Sequence, residues 1–354
     1  MDTLLSICIP TYNRAPYLRS LLQSIRRQLG DGIPLDAVEI YVRNNASTDA
    51  TEAILIEQAA LLPNLRYTTA TTNEGFDRNC FAVVQEARGL FCWLMGDDDD
   101  LTEGGLRTVL ADVAGPNAGD LWLYDRIECD QRMEPRLQRR WSTVADGTRV
   151  RGNSQANLSM YLKSCHNLGG LFSFISSIVV RRECWRLPEM PSPFSYGYIH
   201  VFCCWQILAD GGTLIVRRNA PVFARIPLPN TSEPSAIPAL LLDMRGYFAL
   251  SCLVARQNAA LAVELLHAFR RGRPISTLLK VAVEITGDPR HDEFHRLMRD
   301  CGHTPLIKWL VMHPRLPLAL HPIWRRTITP IRRLFLCDVS RYNREKNLPH
   351  DSRP

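Results

Sequence analysis

No stretch of the 354-residue chain offers about 18 uninterrupted apolar residues, and Met1-Asp2-Thr3 opens without a basic segment or a cleavage site. Neither a spanning helix nor a secretory leader is therefore expected. The eleven cysteines include no C-x-x-C spacing, and several lie in apolar runs such as Ser6-Ile7-Cys8-Ile9 and Phe91-Cys92-Trp93. They read as reduced core thiols in a reducing compartment, which excludes a disulfide scaffold. No Cys/His cluster suggests zinc, and neither Gly-x-x-x-x-Gly-Lys nor Gly-x-Gly-x-x-Gly occurs, so the P-loop and the common dinucleotide fingerprint are removed. Internal repeats, low-complexity tracts and recognised nucleic-acid modules are missing, and no nucleic-acid partner is expected.

What is present alternates. Leu4 to Ile9, Val38 to Val42, Leu65 to Thr68 and Leu90 to Met95 have strand composition, and helical spacing runs through Leu18 to Leu29, Thr51 to Leu62 and Asn79 to Ala87. Repeated strand, loop and helix predicts a doubly wound, mostly parallel α/β sheet whose ligands bind beyond the carboxyl ends of the strands. Further strands are expected at Leu121 to Tyr124, Phe174 to Val180 and Leu214 to Val216, with a helix from His200 to Ala209. Residues 226–238 hold four prolines and read as a loop, beyond which 239–269 and 275–285 look helical.

The polar clusters fall at the strand ends: Thr11 to Arg14, Asn44 to Asp49, Asn73 to Asn79, and Asp97-Asp98-Asp99-Asp100. Four carboxylates leaving a buried strand repel one another unless a cation compensates them, and Mg²⁺ or Mn²⁺ prefers such hard oxygen ligands.

Four ordered segments carry a resemblance: Ser6-Ile7-Cys8-Ile9-Pro10-Thr11-Tyr12-Asn13-Arg14, Asn44-Asn45-Ala46-Ser47-Thr48-Asp49, Asn73-Glu74-Gly75-Phe76-Asp77-Arg78-Asn79 and Gly96-Asp97-Asp98-Asp99. Together they resemble the family 2 glycosyltransferases, and within these the abequosyltransferase-like branch of O-antigen and cell-surface polysaccharide enzymes. The resemblance implies the GT-A fold, with a catalytic domain over 1–225 (nucleotide-sugar half to about 110, acceptor half 111–225) and a C-terminal helical extension over 239–354. It implies an inverting transfer from a nucleoside-diphosphate sugar to a saccharide hydroxyl. Donor-binding residues would be Pro10, Thr11, Tyr12, Asn13, Arg14, Asn44, Asn45, Ser47, Asp49, Asp77, Asn79, Asp97, Asp98 and Arg225. A divalent metal would be held by Asp97, Asp99 or Asp100, and which two of the four aspartates act stays open. Where the family commonly has an Asp facing the base, this chain has Asn44 and Asn45. An amide both donates and accepts, so the base preference does not carry over. His200, in Tyr198-Ile199-His200, resembles a segment of that branch and is the expected general base at an ordinary pKa near 6.5, with Asp210 as substitute. A non-catalytic saccharide or sugar-nucleotide binder of the same fold is the alternative.

The formal charge of +6 is unevenly spread. Residues 267–354 carry 17 Lys plus Arg against 8 Asp plus Glu, net +9, which leaves 25 against 28, net −3, in residues 1–266. Arginines interleaved with Trp309, Trp324, Leu334 and Phe335 suit an anionic membrane surface. The expected setting is cytoplasmic, peripheral on the inner membrane, with a saccharide or lipid-linked saccharide as acceptor.

Overall fold

A strand buried on both faces reads as a continuous apolar run, and β1 (Leu5–Thr11) has no exposed position at all. The computed structural model describes residues 3–312, apart from 31, 117, 191, 227–235 and 274, together with a short strand at Leu336–Asp338. Six elements follow β1 in alternation: α1 (Ala15–Leu29), β2 (Val38–Asn44), α2 (Thr51–Ala59), β3 (Leu65–Thr69), α3 (Gly75–Gln85) and β4 (Phe91–Leu94). Next come β5 (Asp100–Leu101), α4 (Gly105–Ala114), β6 (Leu121–Tyr124), β7 (Arg126–Cys129), β8 (Pro135–Arg139), β9 (Thr148–Arg151) and α5 (Gln155–Ser164). The chain continues through β10 (Ile178–Arg181), α6 (Ile199–Ala209), β11 (Thr213–Arg217) and β12 (Val222–Arg225) into α7 (Ala236–Ala255), α8 (Ala259–Gly272), α9 (Ile275–Glu284), α10 (His291–Asp300) and α11 (Pro305–Met312). The strand Leu336–Asp338 is β13.

The large sheet has the order β3-β2-β1-β4-β10-β6-β11-β9. Its strands are parallel except β10, antiparallel to both neighbours, and β9 at the edge. The alternating pleat sorts side chains to two cores. Leu5, Ile7 and Ile9 of β1, with Phe91 and Trp93 of β4, face the layer of α1, α2 and α4. Cys8, Cys92 and Leu94 face the opposite layer, where one continuous cluster takes in α3, α5, α6 and residues of α7 to α11. The residues before and after 226 thus share one core. A second sheet, β13-β8-β7-β12-β5, closes one end.

Helix α3 begins at Gly75, four residues before the expected start, because Gly75 takes φ +81 where the chain turns into the helix. The span expected as one helix over 239–269 is two, since the Asn258 side chain accepts the Leu261 N–H and starts α8. The expected strand at Phe174 to Val180 is half a 3-10 turn (Ile175–Ser177) followed by β10. Residues 237–255 of α7 are long and apolar enough to cross a membrane, with mean hydropathy 1.5, yet half of that window is buried against the protein. Ten cysteines are free, eight of them buried. Trp324, Leu334 and Phe335 of the basic segment, and most of the Pro-rich loop, lie outside the described residues.

Candidate active site

The chain passes from β1 to β2 and β3 on one side, then returns to place β4 on the other, so the carboxyl ends of β1 and β4 flank the switch point where a doubly wound sheet binds ligands. One hydrogen bond spans that crevice: Thr11 Oγ1 donates to Asp97 Oδ2 at 2.7 Å. Burial, reinforced by the Asp98 charge, pushes the Asp97 carboxyl up to about 7 despite the Thr11 bond. Asp98 is more exposed and meets Arg14 Nη1 at 3.5 Å.

The other two aspartates turn away. Asp99 is 4% exposed; its Oδ2 accepts Ser176 Oγ at 2.5 Å and its Oδ1 the Arg225 N–H at 3.2 Å. The Asp100 carboxylate accepts Ser20 Oγ of α1 at 3.1 and 3.2 Å. Asp99 and Asp100, two of the expected metal ligands, are thus bonded to the scaffold on either side of the acidic turn. Asp97 and Asp98 offer two hard oxygen donors, which fits a divalent ion that takes its remaining ligands from water and phosphate. No cluster of three or more His, Cys, Asp or Glu suited to a metal occurs among the described residues.

Arg225 reaches the same place. Its Nε donates to the Asp98 carbonyl at 3.2 Å and its Nη1 to the Gln131 carbonyl. Tyr17, which the sequence did not single out, is near two cations: the Arg14 and Arg225 guanidiniums are 5.5 and 5.1 Å from its ring centre.

The first loop is braced by the second. Asn13, in the left-handed region at φ 54, donates its N–H to Ser47 Oγ at 2.9 Å and accepts the Thr48 N–H at 2.7 Å. Asp49 accepts the Thr51 hydroxyl at 2.5 Å and the N–H groups of Thr51 and Ala15 at 3.0 and 3.2 Å, bonds that outweigh its burial and hold its carboxyl below the usual range. Asn44 is fully buried and bonded to Ser47 and Glu52; Asn45 is nearly so, and bonded to Asn73 and Glu74. Both amides thus spend hydrogen bonds inside the protein, bracing the second and third loops. Tyr12, Asn13 and Arg14 are exposed at the mouth, and Pro10 lies buried beneath them.

Asp77 and Asn79, expected at the donor, are 4% and 3% exposed and spend their polar atoms inside the protein. Asn79 bonds the carbonyls of Thr11 and Arg43 at 3.4 and 3.1 Å. The Asp77 carboxylate, on the first turn of α3, accepts the N–H groups of Tyr196, Gly197 and Ile199 at 3.0, 2.7 and 3.1 Å, capping the entry to α6.

That entry carries His200, which is buried rather than presented to the cleft. Its ring nitrogens have no hydrogen-bond partner among the described residues, the Ser173 backbone standing short of bonding geometry. Burial pushes the imidazole down to about 4, away from the ordinary value expected. Phe76, 44% exposed, covers it edge-on with ring centres 5.9 Å apart. Asp210 is at the far end of α6, before β11 and so at the opposite edge of the parallel strands. It pairs with Arg186 at 2.7 Å and cannot substitute as base.

Two C-terminal helices hold the His200 segment. Tyr198 Oη donates to Asp243 of α7, whose carboxylate also pairs with Arg273 just beyond α8. The Tyr198 ring rests on Gly246, where a Cβ would sit 2.7 Å from it. Ser176, Ser20, Asp243 and Arg273 carried no sequence signal, because each acts through a partner more than 40 residues away or, for Arg273, 30.

The glycosyl transferase family 2 model matches residues 6–179. Abequosyltransferase RfbV of Salmonella typhimurium is 31% identical over 295 residues, spanning 82% of this chain and 87% of that protein. The chain belongs to the family 2 glycosyltransferases. It is accordingly an enzyme that transfers a sugar from a nucleotide donor. The Staphylococcus aureus TarS structure is 17% identical, covers 89% of this chain and 54% of that chain, and superposes with TM-score 0.53, showing the shared GT-A fold. A mannosyltransferase from Pyrobaculum calidifontis, solved with GDP-Man and Mn²⁺, is 15% identical with TM-score 0.47 over 88% of this chain and 87% of that one.

Proposed function

We propose that this glycosyltransferase adds one sugar, with inversion, to a hydroxyl of a lipid-linked saccharide during cell-surface polysaccharide synthesis. The observation that carries the reading is the crevice at the ends of β1 and β4, where Asp97 and Asp98 face Arg14 and Arg225. The acceptor oxygen attacks the anomeric carbon, the bond to the diphosphate breaks, and the diphosphate leaves with the electron pair. Arg14 and Arg225 stand where that charge develops. A Mg²⁺ or Mn²⁺ ion held by Asp97 and Asp98 would supply further neutralisation of the leaving diphosphate.

The hydroxyl proton needs a base. His200 is the imidazole at the acceptor edge, and its burial keeps it neutral and able to accept. To reach it the acceptor must displace Phe76, and solvent entering with that movement would bring the imidazole back toward its ordinary pKa. Release of nucleotide from UDP-, GDP-, CDP- and dTDP-sugars, with metal and with a lipid-linked saccharide extract, tests the reading. One donor should turn over only with metal and acceptor, and release from none would overturn it.

The setting we propose is the cytoplasmic face of the inner membrane. Leu306 and Trp309 of α11 are exposed beside Lys308, at the start of the cationic segment. Full-length protein should sediment with anionic vesicles at low salt and be released at high salt, as charge attraction is screened. Indifference to anionic vesicles at low salt would make the segment a cap on the fold.

A further inference from the structure

The protein contains a second cavity, remote from the crevice, with the chemistry of a saccharide site. It measures about 220 Å³ and lies between the start of α5, the second half of α6 and the α7–α8 turn. Its floor is made by leucines of these four helices, and Gly152 closes it: a Cβ there would sit 1.9 Å from the Leu208 carbonyl oxygen. The polar lining is uncharged and consists of the amides of Asn153, Gln155, Gln206, Gln257 and Asn258 with the indole of Trp205. Trp205 is 4% exposed, and its Nε1–H has no acceptor among the described residues. That N–H is itself shielded from solvent within the wall of the cavity, where its resonance senses what fills the space beside it.

We propose that this cavity binds a neutral saccharide, holding part of the acceptor away from the reacting end. Without a charged side chain the cavity offers nothing to pair with a phosphate, a carboxylate or an amine. Amides both donate and accept, as hydroxyls do, so a rim of five amides can exchange its water for sugar hydroxyls, which an alkyl chain cannot replace. Some of that capacity is already directed: Gln206 Nε2 is taken by Asp210, and Asn258 Oδ1 by the Leu261 N–H, which leaves the Gln206 carbonyl and the Asn258 amino group for a ligand. An apolar floor with few polar groups suits a binding pocket, and the C–H faces of a pyranose ring suit that floor. Trp205 to Ala209 lie on the far half of α6 from His200. At roughly 1.5 Å per residue the cavity is about 8 to 14 Å along the helix from the imidazole, so it does not hold the reacting hydroxyl. The choice of a saccharide over another polyol rests on the glycosyltransferase reading.

The test uses full-length protein labelled with ¹⁵N at tryptophan, with the Trp205 indole resonance identified through Trp205→Phe. Maltotriose, cellotriose and mannotriose are the neutral probes, and decanoate is the apolar probe. At least one trisaccharide should shift the Trp205 indole N–H, with no shift from UDP. Ala209→Trp, which fills the rim from an exposed position, should weaken that binding tenfold or more while nucleotide binding is unchanged. The inference is overturned if no trisaccharide shifts the resonance up to millimolar concentration, if Ala209→Trp binds as well as the parent, or if decanoate alone occupies the cavity. Donor turnover measured on the same preparation separates the two readings: a silent cavity with normal turnover refutes only this site.

Discussion

The two edges of the crevice are built differently. On the donor edge, loops within the first 110 residues bond one another: Asn13 to Ser47 and Thr48, Asp49 to Ala15, Asn45 to Asn73, Thr11 to Asp97. On the acceptor edge, the entry to α6 hangs on partners far away in the chain, Asp77 some 120 residues before it and Asp243 about 45 after it. The donor loops brace one another, with Ser176 and Arg225 the contributions from further along the chain, whereas the entry to α6 depends on the C-terminal helices being in place. Damage to the second set should therefore lower transfer while sparing nucleotide binding.

The largest effect expected on stability is at the junction of the two. Asp243→Ala leaves Arg273 buried without its carboxylate and Tyr198 without its acceptor, and should cost about 3 to 5 kcal/mol, read as a lowered urea midpoint. Asp243→Asn, which can still accept from Tyr198, should recover part of it, and turnover should fall in both variants more than donor affinity does. An Asp243→Ala protein with unchanged midpoint and turnover would show that α7 merely adjoins the site.

Acid probes the same edge. His200 and His303 are held at about 4 by burial, whereas an unfolded imidazole titrates near 6.5. Between those values the unfolded chain binds more protons than the folded one, so stability is lost as pH falls through the window. The loss should reach roughly 3 kcal/mol for His200 by about pH 4. Urea midpoints at neutral and acid pH measure it, and His200→Gln should flatten the slope.

A smaller effect is expected for Asp77→Asn, which replaces a carboxylate accepting three N–H groups by an amide that accepts less well. Stability should fall by about 1 to 3 kcal/mol, and the turnover number should drop with nucleotide affinity unchanged. Equal loss of both would place Asp77 at the donor after all.

The same contrast explains what could be read beforehand. Strand and helix alternation through residue 95 was legible because period and capping are local signals, and the four motifs stand at strand ends where a doubly wound sheet binds ligands. Motif membership did not say which way a side chain turns. Asn44, Asn45, Asp77 and Asn79 belong to the motifs and build the crevice from behind, and Asp99 is drawn inward by Ser176, a residue of an apparently ordinary apolar stretch. Burial of His200 was equally hidden, because it depends on Phe76 and on two helices beyond residue 236.

We propose that Asp97 and Asp98 face the donor while Asp99 and Asp100 hold the turn. Metal-dependent donor turnover in Asp98→Asn and Asp100→Asn, measured side by side on folded protein, tests this directly. Asp98→Asn should lose roughly 100- to 1,000-fold, the usual worth of a group stabilising developing charge, with Asp100→Asn within about tenfold of the parent. The reverse ranking, or full activity of Asp98→Asn, would contradict it.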